Sequence, residues 1–201
     1  MKLKGKIDLL SNPIDLEHET GLGDIRLASH AFWMKELKGT NADPESILDY
    51  VIGAYTSLQI PVPSLNVQDF ILHISRCTAG KEFRGHVRRD WVWVRTHAAS
   101  DKVRVGTLNG RVPGRLNALF KLKYEGTVYR LAHVTLLHCI GGTAVQGAEG
   151  ILSVRIPTPA QVVIVRIANI EGLAHLIPLE PGQSWLVNNR IYVETWNVLY
   201  D

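Results

Sequence analysis

From residue 84 onward the chain is a succession of short β-forming runs broken by glycine and proline, and this cadence constrains the fold more than any other feature. Trp91-Val92-Trp93-Val94 is the first run. Val103–Leu108, Leu116–Tyr124, Val128–His138, Ile151–Ile156 and Val162–Ile167 follow, and Trp185-Leu186-Val187 closes the series. Between them stand Asn109-Gly110, Glu125-Gly126, Gly141-Gly142 and the stretch from Pro157 to Pro159. Asn109-Gly110 and Glu125-Gly126 both look like hairpin turns, the first with the stronger signal because Asn-Gly fits a type I′ turn, which needs positive φ at both central positions. Short β-rich runs with no long helix between them predict a small barrel or a curled antiparallel sheet.

The first 80 residues read differently. Asn12-Pro13 and Gly21-Leu22-Gly23 are turn signals in a loosely organised start, and Leu27–Leu37 suggests a short helix. Asp43 suits an N-cap, Pro44 the first helical position, and Glu45 the positive end of the helix dipole. Ile47, Leu48, Val51, Ile52, Tyr55 and Leu58 then recur at three- and four-residue spacing, which predicts a helix over 43–58 ended by Pro61 and Pro63. Val67–Arg76 suggests a second helix, and Ile170–Leu176 and Glu194–Leu199 single helical turns. The expectation is an α+β protein: a helical or irregular segment over 1–80 and a mostly β, barrel-like domain over 84–201. The boundary falls near 77–84.

Net charge is only +3, but it is unevenly spread. Residues 81–130 hold 12 basic and 4 acidic residues, while the segments on either side are net acidic. Such a concentration makes a local field that attracts polyanions even when the total is small. Hydrophobic residues at 46% and charged residues at 20% exclude a wholly disordered chain. The longest clean apolar run, around Val162–Val165, is far below the ~20 residues that cross a bilayer. Ile7–Leu10 is too short and too broken by Asp8 for a secretory signal, which suggests an intracellular setting. Cys77 and Cys139 then read as two idle or buried thiols, and no CxxC or HxxxH spacing suggests a metal site.

Within the basic quarter, Arg88-Arg89-Asp90-Trp91-Val92-Trp93-Val94-Arg95 is the first candidate site. On a strand, Arg89, Trp91, Trp93 and Arg95 share one face, with Val92 and Val94 opposite. Cations beside flat rings suit stacking and phosphate pairing with single-stranded nucleic acid, or capture of a peptide side chain. The same alternation also fits two core indoles with arginine stems lying over them. Gly110-Arg111-Val112-Pro113-Gly114-Arg115 is the second candidate, glycine-rich and basic. It lacks the GxxxxGK[ST] spacing of a nucleotide loop, and reads as a surface hairpin offering Arg111 and Arg115 to a polyanion. His133, His138 and His175 do not converge by spacing. Asp90 and Asp101 read as balancing local positive charge. No GxSxG, HExxH or paired-carboxylate motif appears.

Four blocks carry a family resemblance: Asp90–Arg95, Gly110–Lys121, Ile170–Pro178 and Trp185–Ile191. Together they resemble the C-terminal tail region of fungal Plavaka-type transposase-like proteins, over about residues 88–200. The sequence departs from that pattern at Tyr192, where the pattern has Asp, and at Val193. The resemblance implies a transposon-derived origin and a divalent-metal nuclease core that would lie upstream of the tail and is absent from these 201 residues. No catalytic residue of that family maps onto this chain.

These readings lead to a non-enzymatic, nuclear binding domain with no cofactor. Its partner would be DNA, RNA or a chromatin protein, contacted through Arg88, Arg89, Trp91, Trp93, Arg95, Arg111 and Arg115. The alternative is an assembly domain that forms a homodimer or docks a larger protein through the tryptophans and the 43–58 helix. An enzyme whose site comes together only in three dimensions is the third reading.

Overall fold

In a computed structural model of the chain, the residues described are 1–7, 28, 32, 51–63, 72–83, 86–95, 110–140, 151–180 and 183–188. They are almost entirely strand. Nine strands form one antiparallel sheet: β1 (Lys2–Ile7), β2 (Val51–Pro63), β3 (Leu72–Phe83), β4 (His86–Arg89), β5 (Trp91–Arg95), β6 (Arg111–Tyr124), β7 (Thr127–Leu136), β10 (Gln161–Arg166) and β11 (Ile170–Leu173). A smaller sheet contains β8 (His138–Cys139), β9 (Ile151–Arg155), β12 (Leu176–Glu180) and β13 (Ser184–Asn188) in the order β12-β13-β9-β8.

Among the described residues the expected N-terminal helical segment is not seen; Lys2–Ile7, Val51–Pro63 and Leu72–Phe83 are strands of the large sheet instead. Residues 51–58, the second half of the predicted 43–58 helix, lie in β2, and 43–50 fall outside the described residues. The reason is visible in the burial. Ala54, Leu58 and Ile60 are buried, an even-numbered set, whereas Ile52 of the predicted helical stripe is half exposed at 50%. Val51 through Ile60 is rich in β-branched and aromatic residues, and β1, β3 and β6 all pair with it. Long-range pairing thereby overrides the local capping signals. Beyond Gln59 only β3 lies alongside β2, so Pro61 and Pro63 fit a strand with one side free of neighbours.

The predicted helix over Val67–Arg76 is also replaced, since β3 begins at Leu72. Ile170–Leu176 is not a helical turn: a 3-10 turn at Ile167–Asn169 precedes β11 and β12. Among the described residues only Ala28 and Phe32 have α-helical backbone, and both are buried against Phe120, Leu122 and Leu131. The predicted strand Val103–Leu108 and the terminal turn Glu194–Leu199 lie outside the described residues. The point near 77–84 where the sequence pattern changes lies at the end of β3, and the large sheet runs across it.

Among the described residues the large sheet does not close into the expected barrel. Its main path runs β10-β7-β6-β2-β3-β4, and β10 does not pair with β4. The centre is β6, fourteen residues long and buried along most of its length. One side of β6 pairs with β7 over Gly114–Tyr124. The other pairs with β5 over Arg111–Arg115 and with β2 over Leu119–Leu122. The sheet therefore forks between β3 and β6. Asp90 sits in that fork: its N–H donates to the Thr78 carbonyl and its carbonyl accepts the Leu116 N–H, each at 2.9 Å.

β6 and β7 are joined by the tightest turn described. Tyr124 faces Thr127, and Glu125 and Gly126 both take positive φ, 46° and 76°. That is the type I′ pattern, so the two-residue hairpin stands at Glu125-Gly126. Arg95 faces Arg111, so β5 and β6 are antiparallel partners; Gly110 before β6 has a positive φ of 78°, and Asn109 of the expected Asn109-Gly110 turn lies outside the described residues.

Three groups of buried side chains hold the sheets together. One surrounds Phe120, another surrounds Leu58, Leu116 and Val134, and the third contains Trp93, Leu137, Val154, Trp185 and Val187. The third includes residues of both sheets and fastens the small sheet to the large one. Full burial of a residue such as Leu116 stabilises by about 1.5–3 kcal/mol.

Candidate functional site

β5 brings the first candidate group together, but not as an aromatic recognition surface. Trp91, Trp93 and Arg95 do share a face, opposite Arg115, Pro113 and Arg111 of β6. That face is covered by the small sheet. Trp93 is buried at 3% exposure, and Trp91 is half-buried with its ring 4.9 Å from that of Trp185, tilted by 56°. Ala174 N–H donates to the Trp91 carbonyl at 2.9 Å and ties the chain between β11 and β12 to the same place. The two indoles are cement between sheets. Of the two readings left open by alternation, the core one describes Trp93.

Of the elements named by the assembly alternative, residues 51–58 are strand and Trp93 is buried, while Trp91 is half-buried and residues 43–50 lie outside the described residues.

The arginines stay nearer water. Arg88 and Arg95 are exposed, with 59% and 53% of their side chains accessible, while Arg89, Arg111 and Arg115 are half-buried. Two carboxylates hold three of them. Asp90 Oδ1 accepts from Arg88 Nε at 2.9 Å, and Asp90 Oδ2 accepts the Thr78 N–H at 2.7 Å. Its hydrogen bond and its charge raise the pKa of the Arg88 guanidinium. Glu171 of β11 is clamped between Arg95 and Arg111. Arg95 Nε donates to Glu171 Oε1 at 2.6 Å, and Arg111 Nε pairs with Oε2. Asp90 thus does more than balance charge: it joins β3, β4 and β6.

Gly110-Arg111-Val112-Pro113-Gly114-Arg115 is not a surface hairpin. Arg111–Arg115 is the first part of β6, paired with β5 throughout and with β7 from Gly114, and Gly114 is buried where β5, β6 and β7 lie side by side. A Cβ on Gly114 would come within 2.5 Å of Val134 Cγ1 and 3.1 Å of the Thr135 carbonyl oxygen. Close strand packing, not phosphate approach, needs glycine there.

Arg115 opens a buried polar chain. Its Nε donates to Asn117 Oδ1 at 3.3 Å, and Asn117 Nδ2 donates to Thr135 Oγ1 at 2.8 Å and lies 3.2 Å from His133 Nδ1. Asn117 is the extra residue of a β-bulge, since Leu116 faces Val134 and Ala118 faces His133. Asn117, His133 and Thr135 are all buried. His138 and His175 are exposed and do not join this group. Among the described residues no three His, Cys, Asp or Glu gather as a metal site would require. Burial pushes the Cys77 thiol up to about 12, with the Asp90 charge adding to the effect, and burial also raises Cys139.

Two features escaped the sequence reading. Glu171 lies 76 positions from the Arg95 it neutralises, too far for any local pattern to reveal. The other is a second cationic group on β1 and β3, containing Lys2, Lys4 and Arg76. The alternation of Lys2 and Lys4 was legible as a strand face, but Arg76 joins them only through β2.

Comparison with protein-family models, curated proteins and solved structures found no match. No described helix is long and apolar enough to cross a membrane.

Proposed function

We propose that the chain is a non-enzymatic binding module of transposon-derived origin that contacts nucleic acid, in the nucleus, through the basic surface of residues 81–130. The observation that carries this reading is the state of the arginines. Three of them, Arg88, Arg95 and Arg111, share two carboxylates, Asp90 and Glu171. The surplus is positive, and the two most exposed guanidiniums are steadied by ion pairs rather than left to wander. A guanidinium already oriented loses less freedom when it takes a phosphate. Lys123 and Arg130, both exposed, add to the same quarter. Trp93 takes no part in contact, and Trp91 contributes through its packing on Trp185.

The test is filter binding of a single-stranded oligonucleotide at two salt concentrations. Affinity falls steeply with salt, and Arg88→Gln/Arg95→Gln lowers the log–log slope by about 1.4, the share of two phosphate contacts. No binding at low salt ends this reading. A salt-independent affinity for a chromatin protein would replace nucleic acid with a protein partner.

A further inference from the structure

Lys2, Lys4 and Arg76 form a second cationic group, remote in sequence from the basic quarter. Lys2 and Lys4 alternate along β1 and so project on one side, with backbones about 7 Å apart. In the register, Lys2 faces Gln59, which faces Arg76 across β2. Lys4 faces Ser57, which faces Thr78. The two rows therefore hold three cations on a neutral polar floor. All three are exposed, and none is ion-paired with a carboxylate of the described residues. Lys2, by its charge and its hydrogen bond, and Arg76, by its charge, lower the pKa of Lys4, so the three lie within mutual electrostatic reach. Like charges on neighbouring strands oppose folding. No carboxylate of the described residues relieves the repulsion, and an anion spanning the three would do so.

We propose that this face of β1, β2 and β3 is a binding site for a linear phosphate chain, with Lys2 and Lys4 taking successive phosphates and Arg76 closing the far side. A chain of phosphates matches the group better than a single anion. Lys2 and Lys4 follow one another along β1 and Arg76 lies two strands across from Lys2, a spread that a flexible chain of phosphates covers and a single anion does not, and each phosphate neutralised releases a counterion. The chemistry is shared by a single-stranded nucleic-acid backbone and by inorganic polyphosphate. The site adjoins the arginine group, since Thr78 is bonded to the Asp90 that holds Arg88, but its cations are different ones and it does not depend on the role of those arginines.

The experiment titrates the full chain with inorganic tripolyphosphate by calorimetry at low salt, and in parallel with an oligothymidylate. Lys2→Gln/Lys4→Gln is expected to weaken tripolyphosphate by roughly tenfold or more, about 1.4 kcal/mol. Lys2→Arg/Lys4→Arg retains the affinity and controls for disturbance of β1. If the oligothymidylate weakens in the Gln variant as well, the natural source is a nucleic-acid strand; loss confined to tripolyphosphate points to free polyphosphate. Equal tripolyphosphate affinity in the wild type and the Gln variant overturns the site, as does polyglutamate binding as tightly as the phosphate chain. Arg88→Gln/Arg95→Gln separates the two proposals: unchanged oligothymidylate binding in that variant defeats the surface of residues 81–130 and leaves this one standing.

Discussion

Asp90 and Thr78 are bound to each other twice. The Asp90 N–H donates to the Thr78 carbonyl at 2.9 Å, and Asp90 Oδ2 accepts the Thr78 N–H at 2.7 Å. Thr78 is buried, so its N–H has no ready substitute partner in water. Asp90→Ala is therefore expected to destabilise the protein by about 1–3 kcal/mol, the cost of orphaning a buried donor. Arg88→Ala removes only the exposed half of the Arg88–Asp90 pair and is expected to cost less than about 1 kcal/mol. Urea denaturation of the two variants checks the contrast, and equal losses would refute the role given to the Thr78 bond.

Gly114→Ala is expected to cost roughly 1–3 kcal/mol, because the new methyl meets Val134 Cγ1 and the Thr135 carbonyl oxygen at once. Val134 can rotate, but the main chain of β7 cannot withdraw without loosening its pairing with β6. Gly114→Ala/Val134→Ala should recover part of the loss in thermal unfolding, which a purely conformational effect at Gly114 would not do.

Trp93→Ala is expected to destabilise by about 3–5 kcal/mol, since the indole is buried between the two sheets. Intrinsic fluorescence should show the Trp91–Trp185 environment altered as well, because Trp91 packs against the same group. Nucleic-acid affinity of the fraction that remains folded should be unchanged. A stable Trp93→Ala protein that has lost binding would restore the recognition role.

Cys77 supplies a pH dependence with a definite sign. Its folded-state pKa is raised to about 12, mainly by burial, whereas an unfolded thiol ionises near ~8.5. The folded thiol keeps its proton in a range where the unfolded one releases it, so ionisation favours unfolding. The effect is absent below about pH 8.5 and grows by about 1.4 kcal/mol per pH unit from there toward pH 12. Chemical denaturation of wild type and Cys77→Ala at pH 7.5 and ~10 is the check. The wild type should lose more stability than the variant between the two, and equal losses would sink the assignment.

Much of the sheet was legible before any coordinates. The runs around Trp91–Val94, Leu116–Tyr124, Val128–Leu136, Ile151–Arg155 and Val162–Arg166 are strands, because β-branched and aromatic residues between turn formers encode local extension directly. β2 was misread because Asp43, Pro44 and Glu45 imitate a helix start and the apolar spacing beyond them fits 3.6 residues per turn. What makes Val51–Pro63 a strand is pairing with β1, β3 and β6, partners as distant in sequence as Leu122. Such contacts have no local signature. The Glu125-Gly126 hairpin was legible too, because its turn residues join two runs that are neighbours in sequence and in the sheet.

The candidate site divides along the same line. The amino-acid order alone determined that Trp91, Trp93 and Arg95 share a face and that residues 81–130 concentrate positive charge, since alternation and charge are properties of the backbone period and the composition. Only the tertiary structure decided which face is covered, through Trp185 of the small sheet, and which cations are neutralised, through Asp90 and Glu171. A strand has two faces of equal local standing, and the choice between core and solvent belongs to whatever packs against it.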